Sequence, residues 1–298
     1  MSLMVEKTRL TDLLRLTQRT QTINGKTNSH VTACVLSFFK IDGESRLTTV
    51  SLVKDRVSSL ARFSIPVSDT NSLTYLHNGL LPINNIDTFL GVLKYHGKNV
   101  TLDFDEQEHK MRISSGQKKT TVVASLNALA NPISSTCLQE AYDKAIELDA
   151  KIDPHNGVYR LDQKEIAVSP FISFFDVDST DLFEAFRMDA MNKHKSGRFT
   201  LKVINNATST KRQLWVLTGN ENKGLNEVEI CEQYYLSKTH ESLRRTATFE
   251  GGLDHIFKIW NTPVNIHLLD FQEYKQGIKL LIDFGSGDYV LQSSVRND

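Results

Sequence analysis

Cysteine is scarce in this chain and shows no pairing pattern: Cys34, Cys137 and Cys231 are the three present, odd in number, widely spaced and without a CxxC pair. That excludes a disulfide framework and a thiolate zinc site and leaves reduced core or surface thiols. Proline is sparse too, six residues in 298, and with 40% hydrophobic and 23% charged residues this describes a folded soluble chain rather than a low-complexity one. Net charge is absent. The 35 Lys and Arg balance the 35 Asp and Glu, so attraction to nucleic acid must come from segregation of charge over the surface. No apolar run approaches bilayer length: the longest, HVTACVLSFF, is broken by polar residues, and MSLMVEKTRL lacks a signal-peptide core. The expected location is a cytoplasm, with no membrane partner. In that setting the sequons at Asn99 and Asn206 carry no weight.

Motifs for chemistry are missing as well. The nine histidines show no HxxH or HExxH spacing, and there is no GxSxG elbow. INGKTN, Ile23 to Asn28, lacks the earlier glycine of a phosphate loop, since Thr20 stands at that position. DFGSGDY has two glycines but no third and reads as a tight turn between strands. The acidic run Asp103 to His109 alternates as an exposed strand and reads as a solvated hairpin rather than a cation site. The expectation is therefore no catalytic residue, no metal and no cofactor.

What the chain does have is a repeat, which fixes architecture before any motif does. In NIDTFLGVLKYHGKNVTLDF, Asn85 to Phe104, the residues Ile86, Phe89, Leu90 and Leu93 make one helical stripe. In GLDHIFKIWNTPVNIHLLDF, from Gly252, the residues Leu253, Ile256, Phe257 and Trp260 make the same stripe. Each helix has an Asp in its first turn, Asp87 or Asp254, and each is followed by an alternating strand. A second pair of helices opens on Thr-Asp-Leu, at Thr11 and at Thr180. The two helices of each half stand about 75 residues apart in both halves.

Between the helices lie strand candidates: HVTACVLSFFK, RLTTVSLV and SLARFSIPV in the first half, FTLKVI, RQLWVL and NEVEIC in the second, with turns at IDGES and TGNENKG. The 298 residues suit two domains of ordinary size. The fold class expected is α+β: two repeated domains, each with two helices packed on antiparallel sheets. The divisions are 1–128, a connector at 129–170 containing an extra helix around TCLQEAYDKAIELDAKIDP, and 171–298.

Charge follows the repeat. Lys7, Arg9, Arg15 and Arg19 outweigh Asp12 on the first helix and its ends; Lys94 and Lys98 outweigh Asp87 on the second. Arg187, Lys193, Lys195 and Arg198 outweigh Asp189 on the third, and Lys258 balances Asp254 on the fourth. In a neutral chain the remainder is then acidic. A shared basic helix surface suits a phosphate backbone, while Tyr95 is the only aromatic residue interleaved there, so stacking on single strands is not suggested.

Four stretches carry a family likeness: KTRLTDLLRL, FFDVDSTDLFEAF, IDTFLGVLKYHGKNVTLDFDEQEHKMRISSG and KLLIDFGSGDYVLQSSVRND. Together they resemble the DNA polymerase sliding clamps of tailed phages, archaea and eukaryotes, including the proliferating cell nuclear antigen, over Val5 to Ala128 and Phe171 to Ser294. The connector, longer and with its extra helix, departs from that pattern. The resemblance implies two DNA-clamp domains per chain, a homotrimeric ring around double-stranded DNA, a DNA polymerase and a clamp loader as partners, and a role in viral, phage-type replication. It implies that Lys7, Arg9, Arg15, Arg19, Lys94, Lys98, Arg187, Lys193, Lys195 and Lys258 line the hole, and that Leu47, Tyr289 and Leu291 belong to a pocket for partner peptides. A monomeric clamp-like processivity protein and a protein-binding scaffold with this fold are the alternatives.

Overall fold

The computed structural model describes residues 2–23, 26–31, 33–41, 44–54, 58–66, 81–124, 152–153, 158–161, 164–167, 171–191, 197–205, 211–220, 224–234, 245–270, 278–285 and 287–295. The chain divides into two compact units. One comprises Met1–Arg19, Ser29–Asp55 and Leu60–Ala145, the other Thr20–Asn28, Arg56–Ser59 and Ile146–Asp298.

In the first unit, β1 (Ser2–Glu6) leads directly into α1 (Lys7–Thr17). Next in the chain is a short hairpin, β2 (Arg19–Ile23) with β3 (Lys26–Val31), whose residues Thr20–Asn28 belong to the second unit; the first unit resumes with the strands β4 (Cys34–Ile41), β5 (Glu44–Lys54), β6 (Ser58–Pro66) and β7 (Leu81–Ile83). Helix α2 (Ile86–Leu93) follows, then β8 (Asn99–Asp105), β9 (Lys110–Ser115) and β10 (Lys118–Val123). The strands pair in two rows, β1-β8-β9-β10 and β6-β5-β4-β7.

The connector contributes a small antiparallel sheet, β11 (Ile152–Asp153), β12 (Val158–Leu161) and β13 (Lys164–Ala167). The extra helix expected there lies outside the described residues.

In the second unit, β14 (Phe171–Val177) leads into α3 (Ser179–Met191). Then come β15 (Arg198–Asn205), β16 (Lys211–Asn220), β17 (Gly224–Tyr234) and β18 (Arg245–Glu250). Helix α4 (Asp254–Ile259) is followed by β19 (Val264–Asp270), β20 (Ile278–Gly285) and β21 (Asp288–Ser293). Their rows are β14-β19-β20-β21 and β17-β16-β15-β18.

The two units therefore repeat strand for strand: β1-β8-β9-β10 matches β14-β19-β20-β21, and β6-β5-β4-β7 matches β17-β16-β15-β18. Among the described strands, the β2–β3 hairpin has no counterpart in the second half. This is the expected α+β architecture, with every pairing antiparallel among those of known register in these rows.

Each core is built from the periodicities of its elements. On α1, Leu10, Leu13, Leu14 and Leu16 are buried; on α2, Ile86, Phe89 and Leu93 are buried, whereas Leu90, placed by the stripe in the core, is half-buried. On β8, Val100, Leu102 and Phe104 point inward, alternating with exposed or half-buried residues. Burying each such large side chain contributes roughly 1.5–3 kcal/mol. In the second unit the core is aromatic: Phe186 of α3 meets Phe199 at 4.7 Å edge-on and Phe257 of α4 at 5.6 Å stacked, and Trp260 meets Phe284 at 4.9 Å edge-on.

Turns close the hairpins as the sequence requires. Ser115 pairs with Lys118 across a two-residue turn whose first residue, Gly116, has φ +55, the left-handed conformation that glycine adopts without strain. At the acidic hairpin, the Asp105 carboxylate accepts from the backbone N–H groups of Gln107 and Glu108 at 3.0 Å, so the run is spent on a turn.

Candidate nucleic-acid interface

Helices α1 and α2 pack against each other in opposite directions. At one end, the backbone N–H of Lys7 donates to the carbonyl of Lys98 at 2.7 Å. At the other, the Gln18 side-chain amide donates to Asp87 Oδ1 at 2.6 Å. Asn85 caps α2, its side chain accepting from the Thr88 N–H at 2.8 Å, and Asp87 adds a negative charge to the first turn.

Four exposed residues of this helix pair are basic, Arg9 and Arg15 on α1 and Lys94 and Lys98 beyond α2, against one exposed acid, Asp87. Arg9 also pairs with Glu6 at 3.5 Å across exposed surface, a weak link that leaves the guanidinium in solvent. Lys7 is different. It is half-buried, and its Nζ donates to the His96 carbonyl at 2.8 Å, so this lysine ties the helices together. The backbone of Arg19 starts β2 rather than extending α1, because the helix ends at Thr17, where the Gln18 N–H donates to the Leu14 carbonyl. Thr11 and Asp12 accordingly sit in the second turn of α1, not at its opening, which is Lys7.

The turn after α2 is held from every side. The Tyr95 and His96 N–H groups donate to the Val92 and Leu93 carbonyls at 3.1 Å. The Tyr95 carbonyl accepts from Lys118 Nζ at 2.8 Å, and the Gly97 N–H donates to Ser115 Oγ at 2.9 Å. The buried His96 ring bridges Ser115 Oγ and Thr120 Oγ1, each at 3.0 Å. Burial, followed by the charges of Lys118 and Lys7, holds its pKa below the ordinary histidine value, so the ring is neutral at pH 7.

Helix α3, described as far as Met191, adds acids that lie ahead of the basic count: Asp181 and Glu184 are on its exposed side before Arg187. Within its bounds the acids outnumber the single arginine. The signal was legible: Asp181 and Glu184 alternate with the buried Leu182, Ala185 and Phe186, but the basic count starts only at Arg187. Arg187 lies 5.9 Å from the Phe183 ring centre. Arg198 belongs to β15 and pairs with Glu250 at 3.3 Å. Lys193 and Lys195 lie outside the described residues. On α4, Lys258 is exposed.

Of the residues expected to meet partner peptides, Leu47 is wholly buried in β5 of the first unit. In the second unit, Tyr289 is 5% exposed and Leu291 half-buried on β21.

Among the described residues, no group of three or more His, Cys, Asp or Glu side chains is placed to hold a metal ion, and no helix is long and apolar enough to cross a membrane. Cys34 and Cys231 are free thiols; burial raises the Cys231 pKa to about 12, which keeps it a protonated thiol at pH 7.

No protein-family model matches the sequence, and no curated protein does. Solved structures do match. The DNA polymerase sliding clamp of Caulobacter crescentus aligns with a TM-score of 0.57 at 13% identity, covering 99% of this chain and 65% of the clamp. A DNA polymerase III subunit beta sliding clamp from Bartonella birtlesii aligns with a TM-score of 0.57 at 14% identity, covering 99% and 65%. The Helicobacter pylori beta clamp gives 0.53 at 12% identity, covering 100% and 64%. The chain thus spans about two thirds of the length of these bacterial clamps. At such identities the likeness speaks for architecture. The repeated helix-and-sheet units of this chain are those of the DNA sliding-clamp fold.

Proposed function

We propose that the chain is a sliding clamp, a non-enzymatic processivity factor that encircles duplex DNA and tethers a replicative DNA polymerase. The observation that carries this reading is the clamp fold over 99% of the chain combined with a solvent-facing basic helix pair, Arg9, Arg15, Lys94 and Lys98, in a chain of net charge zero. Contacts of lysine and arginine with phosphates are independent of sequence, which is what sliding demands. Topological linkage then supplies the retention that weak contacts cannot.

The ring proposed is a homotrimer, since the family resemblance implies three two-domain subunits. Among the described strands, β10 and β17 each lack a neighbour on one side, and head-to-tail pairing of these edges between copies would close a ring. A clamp loader to open it, a phage-type replication setting and a cytoplasmic location belong to the same proposal, as does a role for Lys193, Lys195, Arg187, Arg19 and Lys258 in lining the hole. A partner peptide is proposed to meet β21 at Leu291, whose half-buried side chain offers surface that Leu47 does not.

The test is retention on circular duplex DNA with loader and ATP supplied, together with native mass. Release on linearisation and a mass near three times 33.7 kDa are expected. Equal retention on circles and linear duplex, or a monomer at micromolar concentration, overturns the ring.

A further inference from the structure

We propose that the turn after α2 is a contact for single-stranded DNA, with Tyr95 stacking on an unpaired base while Lys94, Lys98 and Lys118 hold the flanking phosphates. Tyr95 is the most exposed large hydrophobic side chain among the described residues, at 75%. It stands in solvent although its backbone is fixed on both sides, by its N–H to Val92 and by its carbonyl to Lys118. The neighbouring His96 is locked by its ring and by its carbonyl, which accepts from Lys7. The ring is thus displayed by a rigid support, and little ordering cost remains on binding.

The surroundings select the ligand. Neither Val92–Thr101 nor Ser114–Val123, two of the segments that build the turn and its support, contains an Asp or Glu; the third, where β1 meets α1, brings Glu6, which lies opposite Asn99 and pairs with Arg9 at 3.5 Å. Lys94, Lys98 and Lys118 are all exposed, and the bond of Lys118 to the Tyr95 carbonyl uses only one of its three donors. An exposed aromatic side chain on a turn that carries Lys94 and Lys98 and is bonded by Lys118 matches a base flanked by phosphates, and it matches an acid-poor apolar peptide badly. A base within a duplex has both faces covered by its neighbours, so the tyrosine can stack only on an unpaired one.

This rests on the reading of the chain as a DNA clamp for where the strand comes from, namely the single-stranded side of a polymerase substrate. The binding itself needs no ring. It also revises the expectation that stacking is not suggested: the sequence shows one aromatic among the basic ends, and the structure shows that it is the one held out to solvent.

The experiment is fluorescence anisotropy of a labelled oligothymidylate of about a dozen nucleotides with the full chain at several salt concentrations. Tyr95→Ala should weaken binding roughly ten-fold or more with the salt dependence unchanged, because stacking releases no counterions. Tyr95→Phe should bind like the parent, and Lys98→Ala should flatten the salt dependence. An unchanged melting temperature for Tyr95→Ala is expected, since no backbone bond is lost. Failure of the parent to bind, parental affinity in Tyr95→Ala, or equal losses in the Phe and Ala variants overturns the site. Retention on circular duplex tests the clamp separately: oligonucleotide binding that depends on Tyr95 without retention keeps this site and removes the clamp, and the converse does the opposite.

Discussion

The ε-ammonium of Lys7 donates to the carbonyl oxygen of His96 at 2.8 Å, joining the first residue of one helix to the turn that ends the other. A lysine expected to face DNA thus also ties the two helices together. Lys7→Met should destabilise the first unit by about 1.5–3 kcal/mol, the range for a hydrogen bond from a charged donor. Chemical denaturation checks it; parental stability would show that the bond is replaced by water.

Charge reversal separates the two units. Arg15→Glu should sharply reduce retention on duplex circles at low salt, because Arg15 stands on an exposed basic helix face. Arg187→Glu should do less, since Glu184 stands three residues before it on the same helix face and its guanidinium rests near Phe183. Retention measured against ionic strength compares them, and equal losses would argue for a lining spread evenly over both units.

Two glycines give opposite outcomes. A Cβ on Gly251 would meet the Gly197 carbonyl oxygen at 2.9 Å and its carbon at 3.2 Å, and the Gly251 N–H also donates to that oxygen. Backbone cannot step aside as a side chain does, so Gly251→Ala should cost about 1–3 kcal/mol. Gly91, inside α2, has no atom within 4 Å of such a Cβ. Gly91→Ala should stabilise by about 0.5–1 kcal/mol. Thermal unfolding of the two variants reads both signs.

Stability should fall in mild acid. His267, buried and hydrogen-bonded to Ser173 Oγ at 2.8 Å, has its pKa lowered to about 4 by burial, only partly opposed by the Asp283 charge. A histidine whose folded pKa lies below its unfolded one binds more protons when unfolded, so stability is complete above the unfolded value near 6.5 and declines as pH falls toward 4. The loss should reach roughly 3 kcal/mol. His96, lowered in the same direction, adds to it. His267→Leu should remove most of the second unit's share, which urea unfolding at pH 7 and pH 5 would detect.

Much of this was legible in the chain. The helical stripes and the alternation of β8 are local patterns, and they reappear as buried faces because 3.6-residue and two-residue periods leave a segment only one way to hide its apolar side, with the acids Asp87 and Asp254 in the first helical turns. Asn85 as a cap was also within reach, since its carbonyl oxygen needs only the N–H three residues on. The edge of α1 was not. Glu6 and Lys7 read as a helix opening or a strand end equally well, and pairing of Glu6 with Asn99 decides it.

By itself, then, the sequence determined a two-fold repeat of helices and antiparallel strands, a neutral chain with cations gathered at helix ends and no motif for catalysis. These follow from composition, from periods within each element and from the recurrence of the helix spacing along the chain. Only the tertiary structure decided how these cations are held: Lys7 is bound to a residue 89 positions away, while Arg15 and Lys98 face solvent. It likewise decided that Tyr95 is displayed rather than buried, because Lys118, Ser115 and Thr120 arrive from strands paired later in the chain. Hydrogen bonds between distant segments have no period, and they become visible only when the chain has closed on itself.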